Sequence, residues 1–179
     1  LGLRGVSVIF ASGDTGVGSA CQSNDGKKTA RFTLNFPATR PYVTPVRGTY
    51  ALDSEIEAAF SSGAFSNYFV TPPYQGNTTK AYIAKLGNSS KGYFTTSGRG
   101  DPDVSAQSVR CLIESQDHLQ FLYGMSCAAP TFAAVISNLN NKAFSAGEGK
   151  ARLLKPLVVF PGHPGIRRYH SGTVSWVLG

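Results

Sequence analysis

The segment Gly124–Ser126 places a serine in a tight Gly-Met-Ser turn, and an apolar run from Ala128 to Leu139 follows directly. This order predicts a turn and then a buried helix. A serine in that turn lies at the positive end of the helix dipole, where a negative oxygen formed during acyl transfer would be stabilised. Serine before a helix is also an ordinary N-cap residue, so the pattern alone leaves a purely structural role open.

Three further blocks constrain the fold. The β-branched run Val6–Ala11 leads into Ser12–Gly16, which predicts a buried strand and then a glycine-rich turn with one carboxylate, Asp14. The other two blocks are Phe36–Thr49 and Gly98–Ala106. In this order and spacing, the three blocks and the Gly-Met-Ser turn resemble the sedolisin family of serine-carboxyl peptidases, which includes the tripeptidyl-peptidases.

The resemblance covers residues 1 to about 149 and implies an α/β fold, a subtilisin-like parallel sheet with flanking helices that is incomplete at both ends. It implies that Ser126 is the nucleophile and that Asp14 is the oxyanion-hole aspartate, which donates a hydrogen bond in its protonated form. The implied activity is hydrolysis of peptide bonds at acid pH, with release of N-terminal tripeptides from polypeptide substrates. Gly63 and Gly124 fall in the implied substrate-binding region, although a surface loop before Pro72 explains Gly63 equally well.

The sequence does not contain an evident general base for the Ser126 hydroxyl. In the resembling family the base is a glutamate, backed by an aspartate on the same helix, and both precede the Ser-Gly-Asp block, so we expect this chain to lack them. The histidines are His118, His163 and His170, and His118 stands in a polar stretch that predicts a solvated loop. Without a base a serine hydroxyl is a poor nucleophile. We therefore expect the isolated chain to be inactive, with a non-catalytic remnant (a pseudoenzyme or interaction module) as the alternative.

The resemblance ends at residue 149, which divides the chain into a partial peptidase domain, residues 1–149, and a tail, residues 150–179. A shift of one nucleotide turns two stretches of the tail into patterns that the family carries after its serine helix. We interpret the tail as an out-of-frame translation and expect it to be poorly ordered. The family's calcium ligands come from this region, and the tail contains no carboxylate, so we expect the calcium ligands to be absent.

The net charge of +7 does not indicate a nucleic-acid-binding protein. Residues 1–149 carry 12 basic and 10 acidic residues, whereas the tail contributes five basic residues and no acidic one. No stripe of basic and aromatic residues marks a phosphate-binding face, and no apolar run is long enough to span a membrane. The resemblance implies secretion, which suits two glycosylation sequons, at Asn77 and Asn88, that flank a predicted helix, Ala81–Leu86. The oligomeric state is not indicated.

The chain departs from the family pattern at several positions. The partner expected for Cys21 is replaced by Arg40, which leaves Cys21 unpaired, and Cys127 is interpreted as a small buried residue. Arg47 replaces a glycine, which costs about 1 kcal/mol or more if that position needs a positive φ. Asp101 replaces an aromatic residue and puts a charge where an apolar side chain would pack.

Two functions of other classes remain as alternatives. The loop Gly13–Gly18 follows a strand as a nucleotide-binding loop does, but it lacks a Gly-Lys-Ser/Thr sequence and leads into a polar stretch, not a helix. The tripeptide Arg99–Asp101 has the sequence of an adhesion motif. Nucleotide-dependent stabilisation would favour the first alternative, and cell attachment through Asp101 the second.

Overall fold

The computed structural model describes residue 1, residues 6–51 and 55–147, and the backbone of 166–168 and 176–178. Its strands are β1 (Ile9–Ala11), β2 (Thr44–Tyr50), β3 (Ile56–Glu57), β4 (Ala64–Val70), β5 (Gly98–Asp101), β6 (Val104–Gln107), β7 (Cys111–Ser115), β8 (His118–Leu122), β9 (Ile166–Arg168) and β10 (Trp176–Leu178). Its helices are α1 (Gly76–Leu86), preceded by a 3-10 turn over Pro73–Gln75, and α2 (Met125–Ser145).

A parallel sheet in the order β1–β2–β6 forms the centre of the fold, and β3 pairs antiparallel with the end of β2. Helix α2 packs on one face of this sheet. Val46 of β2 and Val104 of β6 are fully buried there against Phe132 and Ile136 of the helix. The α/β fold with a parallel sheet is therefore as the sequence predicts. Because β1, β2 and β6 are parallel, their carboxyl ends lie at the same edge of the sheet.

Helix α2 is longer than the apolar run that predicted it. It begins at Met125 and ends at Ser145, and only the face carrying Met125, Ala128, Phe132 and Ile136 is buried. The spacing of three or four residues between these positions is that of one helix face. Because the helix begins three residues earlier than expected, Ser126 is its second residue and does not precede it.

The other face of the sheet is polar, because alternate residues of a strand point to opposite sides. Thr49 and Gln107 both hydrogen-bond to Glu55, and Arg47 forms an ion pair with Glu57. Arg47 lies in strand β2 and does not have a positive φ. The condition for strain at this position, a positive φ, is therefore not met, because an extended strand conformation is accessible to arginine.

Strands β4 and β5 form a separate antiparallel pair, and β7 and β8 form a hairpin.

The predicted helix ending at Leu86 is confirmed as α1, but it begins at Gly76, so Asn77 lies within the helix and does not flank it. His118 is the exposed first residue of β8, not part of a loop. The tail contributes an antiparallel backbone pair, β9 with β10, and the rest of residues 150–179 lies outside the described residues. The interpretation of the tail stays a prediction.

Candidate active site

The Ser-Gly-Asp loop begins where β1 ends and is fixed by the backbone on both sides. Ser12 donates to the carbonyl of Val46 at 3.0 Å, and Gly13 accepts from the N–H of Ser62 at 2.8 Å. Gly13 has a φ of +108°, and a Cβ there would overlap the side chain of Asn35. Only glycine fits both constraints. The turn that follows leaves Asp14 exposed at the edge of the sheet.

The N-terminus of α2 reaches the same place. Gly124 precedes the helix with a φ of +138°, and its N–H donates to the carbonyl of Ser108 at 2.9 Å. The next amide, that of Met125, donates to Oδ1 of Asp14 at 2.7 Å. A Cβ on Gly124 would lie 3.3 Å from both carboxyl oxygens of Asp14, so a larger residue would crowd this contact. The contact joins the two parts of the chain that the sequence singled out.

Ser126 follows Met125 and is exposed to solvent. Within the described part of the chain, neither its hydroxyl nor its N–H makes a hydrogen bond, and Oδ2 of Asp14 also has no partner. A free amide at the positive end of a helix, next to a carboxyl group with one oxygen unused, can accommodate a negatively charged oxygen. A protonated Asp14 could donate from Oδ2 while Oδ1 keeps its bond to Met125.

Gly63 also lies at this edge. Its N–H donates to the carbonyl of Gly16 at 3.2 Å, and the Oγ of its neighbour Ser62 accepts from Thr15 at 3.0 Å. The loop that carries Gly63 is thus bound to the loop that carries Asp14. A Cβ on Gly63 would lie 3.0 Å from the carbonyl of Asp101. The four residues singled out from the sequence (Asp14, Gly63, Gly124 and Ser126) therefore belong to segments that meet.

The two departures from the family pattern, Arg47 and Asp101, lie beneath Gly63. The guanidinium carbon of Arg47 would be 3.5 Å from a Cβ on Gly63. Asp101 is only 6% exposed, and neither of its carboxyl oxygens has a hydrogen-bond partner among the residues that the structure describes. Burial raises the pKa of Asp101 to about 8, although the nearby positive charges of Arg99 and Arg47 oppose the shift. The side chain is therefore buried as expected, in its neutral form at neutral pH.

The Arg99–Asp101 tripeptide is not presented at the surface. Arg99 is fully buried, donates to the carbonyl of Val43 at 3.0 Å and pairs with Asp103 at 2.5 Å. Burial raises the pKa of Asp103 to about 6, against the opposing effects of Arg99 and of a hydrogen bond from Gln75. A ligand for an adhesion receptor needs both charged groups in solvent, so this geometry excludes the adhesion alternative.

The structure contains one disulfide among the described residues, and the sequence did not predict its pairing. Cys111 and Cys127 form a disulfide with their Cα atoms 6.4 Å apart, and Cys21 is free. The unpaired state of Cys21 agrees with the prediction, whereas the interpretation of Cys127 as a small buried residue was wrong. Three cysteines allow three pairings, and the sequence does not choose among them. A signal did exist, because Cys111 opens a hairpin whose return strand ends just before Cys127.

No helix in the described part of the chain is long and apolar enough to cross a membrane.

The chain is similar in sequence to individual curated proteins, all of them tripeptidyl-peptidases in the matches described here. No family model matches the chain. The chain is 44% identical over 178 residues to the "Probable tripeptidyl-peptidase SED3" of Arthroderma benhamiae, covering 99% of this chain and 30% of that protein. It is 45% identical over 167 residues to the tripeptidyl-peptidase SED4 of Arthroderma otae, covering 92% of this chain and 28% of that protein. The chain thus spans about 30% of the length of the curated relatives it matches.

Solved structures show the same fold. A Pseudomonas sedolisin, a serine-carboxyl proteinase complexed with two molecules of pseudo-iodotyrostatin, matches with a TM-score of 0.58 at 20% identity. The match covers 88% of this chain and 44% of that one. Sphericase matches with a TM-score of 0.51 at 14% identity, over 85% of this chain and 38% of that one. The solved structures show the fold, and the sequence matches to tripeptidyl-peptidases over nearly the whole chain show that it belongs to their family, the sedolisin family of serine-carboxyl peptidases.

Proposed function

We propose that this protein is part of a tripeptidyl-peptidase that acts at acid pH on polypeptide substrates, with Ser126 as nucleophile and Asp14 in the oxyanion hole. The observation that carries the proposal is the hydrogen bond from the amide of Met125 to Oδ1 of Asp14. It places a carboxyl group beside the exposed serine at the start of α2. The names of the relatives supply the substrate class, and the site supplies a hydroxyl and a carboxyl group suited to acyl transfer.

In the proposed reaction, Oγ of Ser126 attacks the carbonyl carbon of the scissile peptide bond. The carbonyl oxygen becomes negative and accepts hydrogen bonds from the N–H of Ser126 and from the protonated Oδ2 of Asp14. A carboxyl group can donate only when it is neutral, and the family resemblance implies that the reaction runs at acid pH. The base that took the serine proton gives it to the nitrogen as the C–N bond breaks and the amine leaves, and water then hydrolyses the ester that remains on Ser126.

The serine proton needs a base, and in the described residues no side chain forms a hydrogen bond with the Ser126 hydroxyl. We therefore propose that the isolated 179-residue chain does not turn over peptides. The resemblance assigns the base to a glutamate that precedes the Ser-Gly-Asp block in the family. A non-catalytic protein would also lack a base beside Ser126. The chimera experiment below distinguishes part of an active peptidase from a non-catalytic remnant.

Secretion and calcium are further parts of the proposal. The Cys111–Cys127 disulfide supports an oxidising compartment, and the exposed Asn77 and Asn88 sequons are accessible for glycosylation. Calcium rests on the family resemblance. The described residues hold no cluster of three or more acidic, histidine or cysteine side chains, so this part of the protein does not fit the ion. No step of the proposed reaction involves it.

A chimera tests the proposed function. The segment of the Arthroderma otae SED4 protein that matches this chain is replaced by the sequence of this chain, and cleavage of a chromogenic tripeptidyl amide is measured at acid pH. We expect activity that falls about 1,000-fold or more on Ser126→Ala, because the nucleophile is lost. Ser145→Ala, at the exposed end of the same helix, is the matched control and should leave activity unchanged.

Two results would overturn the proposal. A chimera that folds by circular dichroism but does not cleave would favour the non-catalytic alternative. Cleavage by the isolated chain that disappears with Ser126→Ala would show that the chain needs no added base.

A further inference from the structure

Ser126, the candidate nucleophile, is not positioned by hydrogen bonds from its own hydroxyl or N–H in the described part of the chain. Ser126 is exposed, and neither its hydroxyl nor its N–H has a hydrogen-bond partner among residues 6–51 and 55–147. Its position is set by the residues on either side of it. On one side, Met125 is fully buried, and its sulfur accepts a hydrogen bond from Ser61 at 3.2 Å. The amide of Met125 is bound to Asp14.

On the other side, Cys127 is bound covalently to Cys111, the first residue of β7. Met125 and Cys127 thus hold Ser126 from both sides, one by burial and a hydrogen bond, the other by a disulfide. A side chain that must act within a few tenths of an ångström needs such support from its neighbours.

The hairpin that carries Cys111 has little other attachment. Strands β7 and β8 pair only with each other, and a hydrogen bond from Gly124 to Ser108 closes the base of the hairpin. No hydrogen bond in the described part of the chain joins residues 109–123 to the rest of the fold. The main chain joins β8 to α2 through Tyr123 and Gly124. The disulfide adds a second link, from the start of β7 to the first turn of the helix, between cysteines 16 positions apart with Ser126 between them.

We propose that the Cys111–Cys127 disulfide is a positioning element for Ser126, which fixes the first turn of α2 against the β7–β8 hairpin. The meaning of this position for catalysis rests on the proposed function. Both cysteines are half-buried, so a small dithiol can reach the bond. Reduction breaks the S–S bond, forms two thiols, and converts the dithiol to its own cyclic disulfide. Reduction of the disulfide therefore loosens the first turn of α2.

Thiol counting is the first test. The denatured, unreduced chain should react with one equivalent of a thiol reagent, from Cys21, and with three after dithiothreitol treatment. Three thiols before reduction would overturn the proposal, because the bond would be absent. Cys21→Ser serves as the matched control, since the one hydrogen bond of this thiol among the described residues is donated to the nearby carbonyl of Gly18, which a serine hydroxyl can also reach. It should leave every readout below unchanged.

Amide hydrogen exchange on the full chain is the second test, and it does not require activity. In Cys111→Ala, in Cys127→Ala and in the reduced wild type, exchange at Met125 should be about tenfold faster or more, because local opening of the first turn becomes easier. Exchange at Phe132, further along the same helix, should not change.

A general loss of stability would accelerate exchange at Met125 and Phe132 together, which would overturn the proposal. Unchanged exchange at Met125 in a reduced, folded chain would also overturn it. In the chimera described above, Cys111→Ala should lower kcat about tenfold or more with little effect on KM. An inactive wild-type chimera would count against the proposed function, while the exchange data would still decide the role of the disulfide.

Discussion

The amide of Met125 donates a hydrogen bond to Oδ1 of Asp14 at 2.7 Å, and these two residues are 111 positions apart in the chain. The bond joins the loop after β1 to the first turn of α2. It also supplies an acceptor for one of the N-terminal helix amides, which Gly124 cannot cap because it has no side chain. Asp14 therefore supports the fold at the position where the proposed reaction needs a carboxyl group.

Asp14→Ala should lower the free energy of unfolding by about 1 kcal/mol, because the Met125 amide loses its acceptor. Asp14→Asn should cost less, since the amide oxygen can still accept. Urea unfolding at neutral pH measures both variants. Equal losses for the two would show that the hydrogen bond contributes nothing to stability.

Stability should fall as pH rises between about 4 and 8, because of Asp101. Its pKa is raised to about 8 in the folded chain, from 3.8 for an unperturbed aspartate. Within that window the unfolded chain binds fewer protons than the folded chain, so rising pH favours unfolding, by up to about 1.4 kcal/mol per pH unit.

Asp101→Asn removes this ionisation and should flatten the profile between about pH 6 and 8. A slope should persist below about 6, because the pKa of Asp103 is also raised, to about 6. Urea midpoints across the pH range provide the measurement. Asp117→Asn, in the exposed turn of the β7–β8 hairpin, is the matched control and should keep the wild-type profile. A wild-type chain equally stable across the window would contradict the prediction.

Arg47 and Asp101 should prove energetically coupled, and the coupling should depend on pH. Each lies close enough for its charge to favour the charged form of the other. A double-mutant cycle with Arg47→Met and Asp101→Asn should give a coupling of about 1 kcal/mol or more at about pH 9, where Asp101 is ionised. The coupling should shrink at about pH 5, where Asp101 is neutral. Independent, additive losses at both pH values would argue against a charge pair.

Such coupling would show that the two departures from the family pattern, Arg47 and Asp101, are not independent of each other. Taken from the sequence, a glycine replaced by Arg47 and an aromatic residue replaced by Asp101 look like unrelated losses. In the fold they lie together under Gly63. Arg47 already pairs with Glu57, so an ionised Asp101 would add a second, nearby negative charge to that of Glu57.

The sequence predicted those features that depend on local pattern. The strand before the Ser-Gly-Asp loop, the helix after the Gly-Met-Ser turn and the helix ending at Leu86 follow from apolar spacing and glycine positions. The disulfide and the polar face of the sheet did not follow, because they depend on which segments meet in space. Arg47 shows the same limit: its backbone conformation is set by pairing with β6, and its own residue type says nothing about that.

Gly63 offers the last test, because a methyl group there has almost no room. A Cβ would lie 3.0 Å from the carbonyl of Asp101 and 3.1 Å from Cδ of Pro102. Gly63→Ala should therefore lower the free energy of unfolding by about 1–3 kcal/mol, since backbone must move to accept it. Gly76→Ala, in a helix with open space around the position, should instead raise it by about 0.5–1 kcal/mol. Urea unfolding of both variants decides the matter, and a Gly63→Ala chain as stable as the wild type would mean that the loop beside Asp14 can shift without cost.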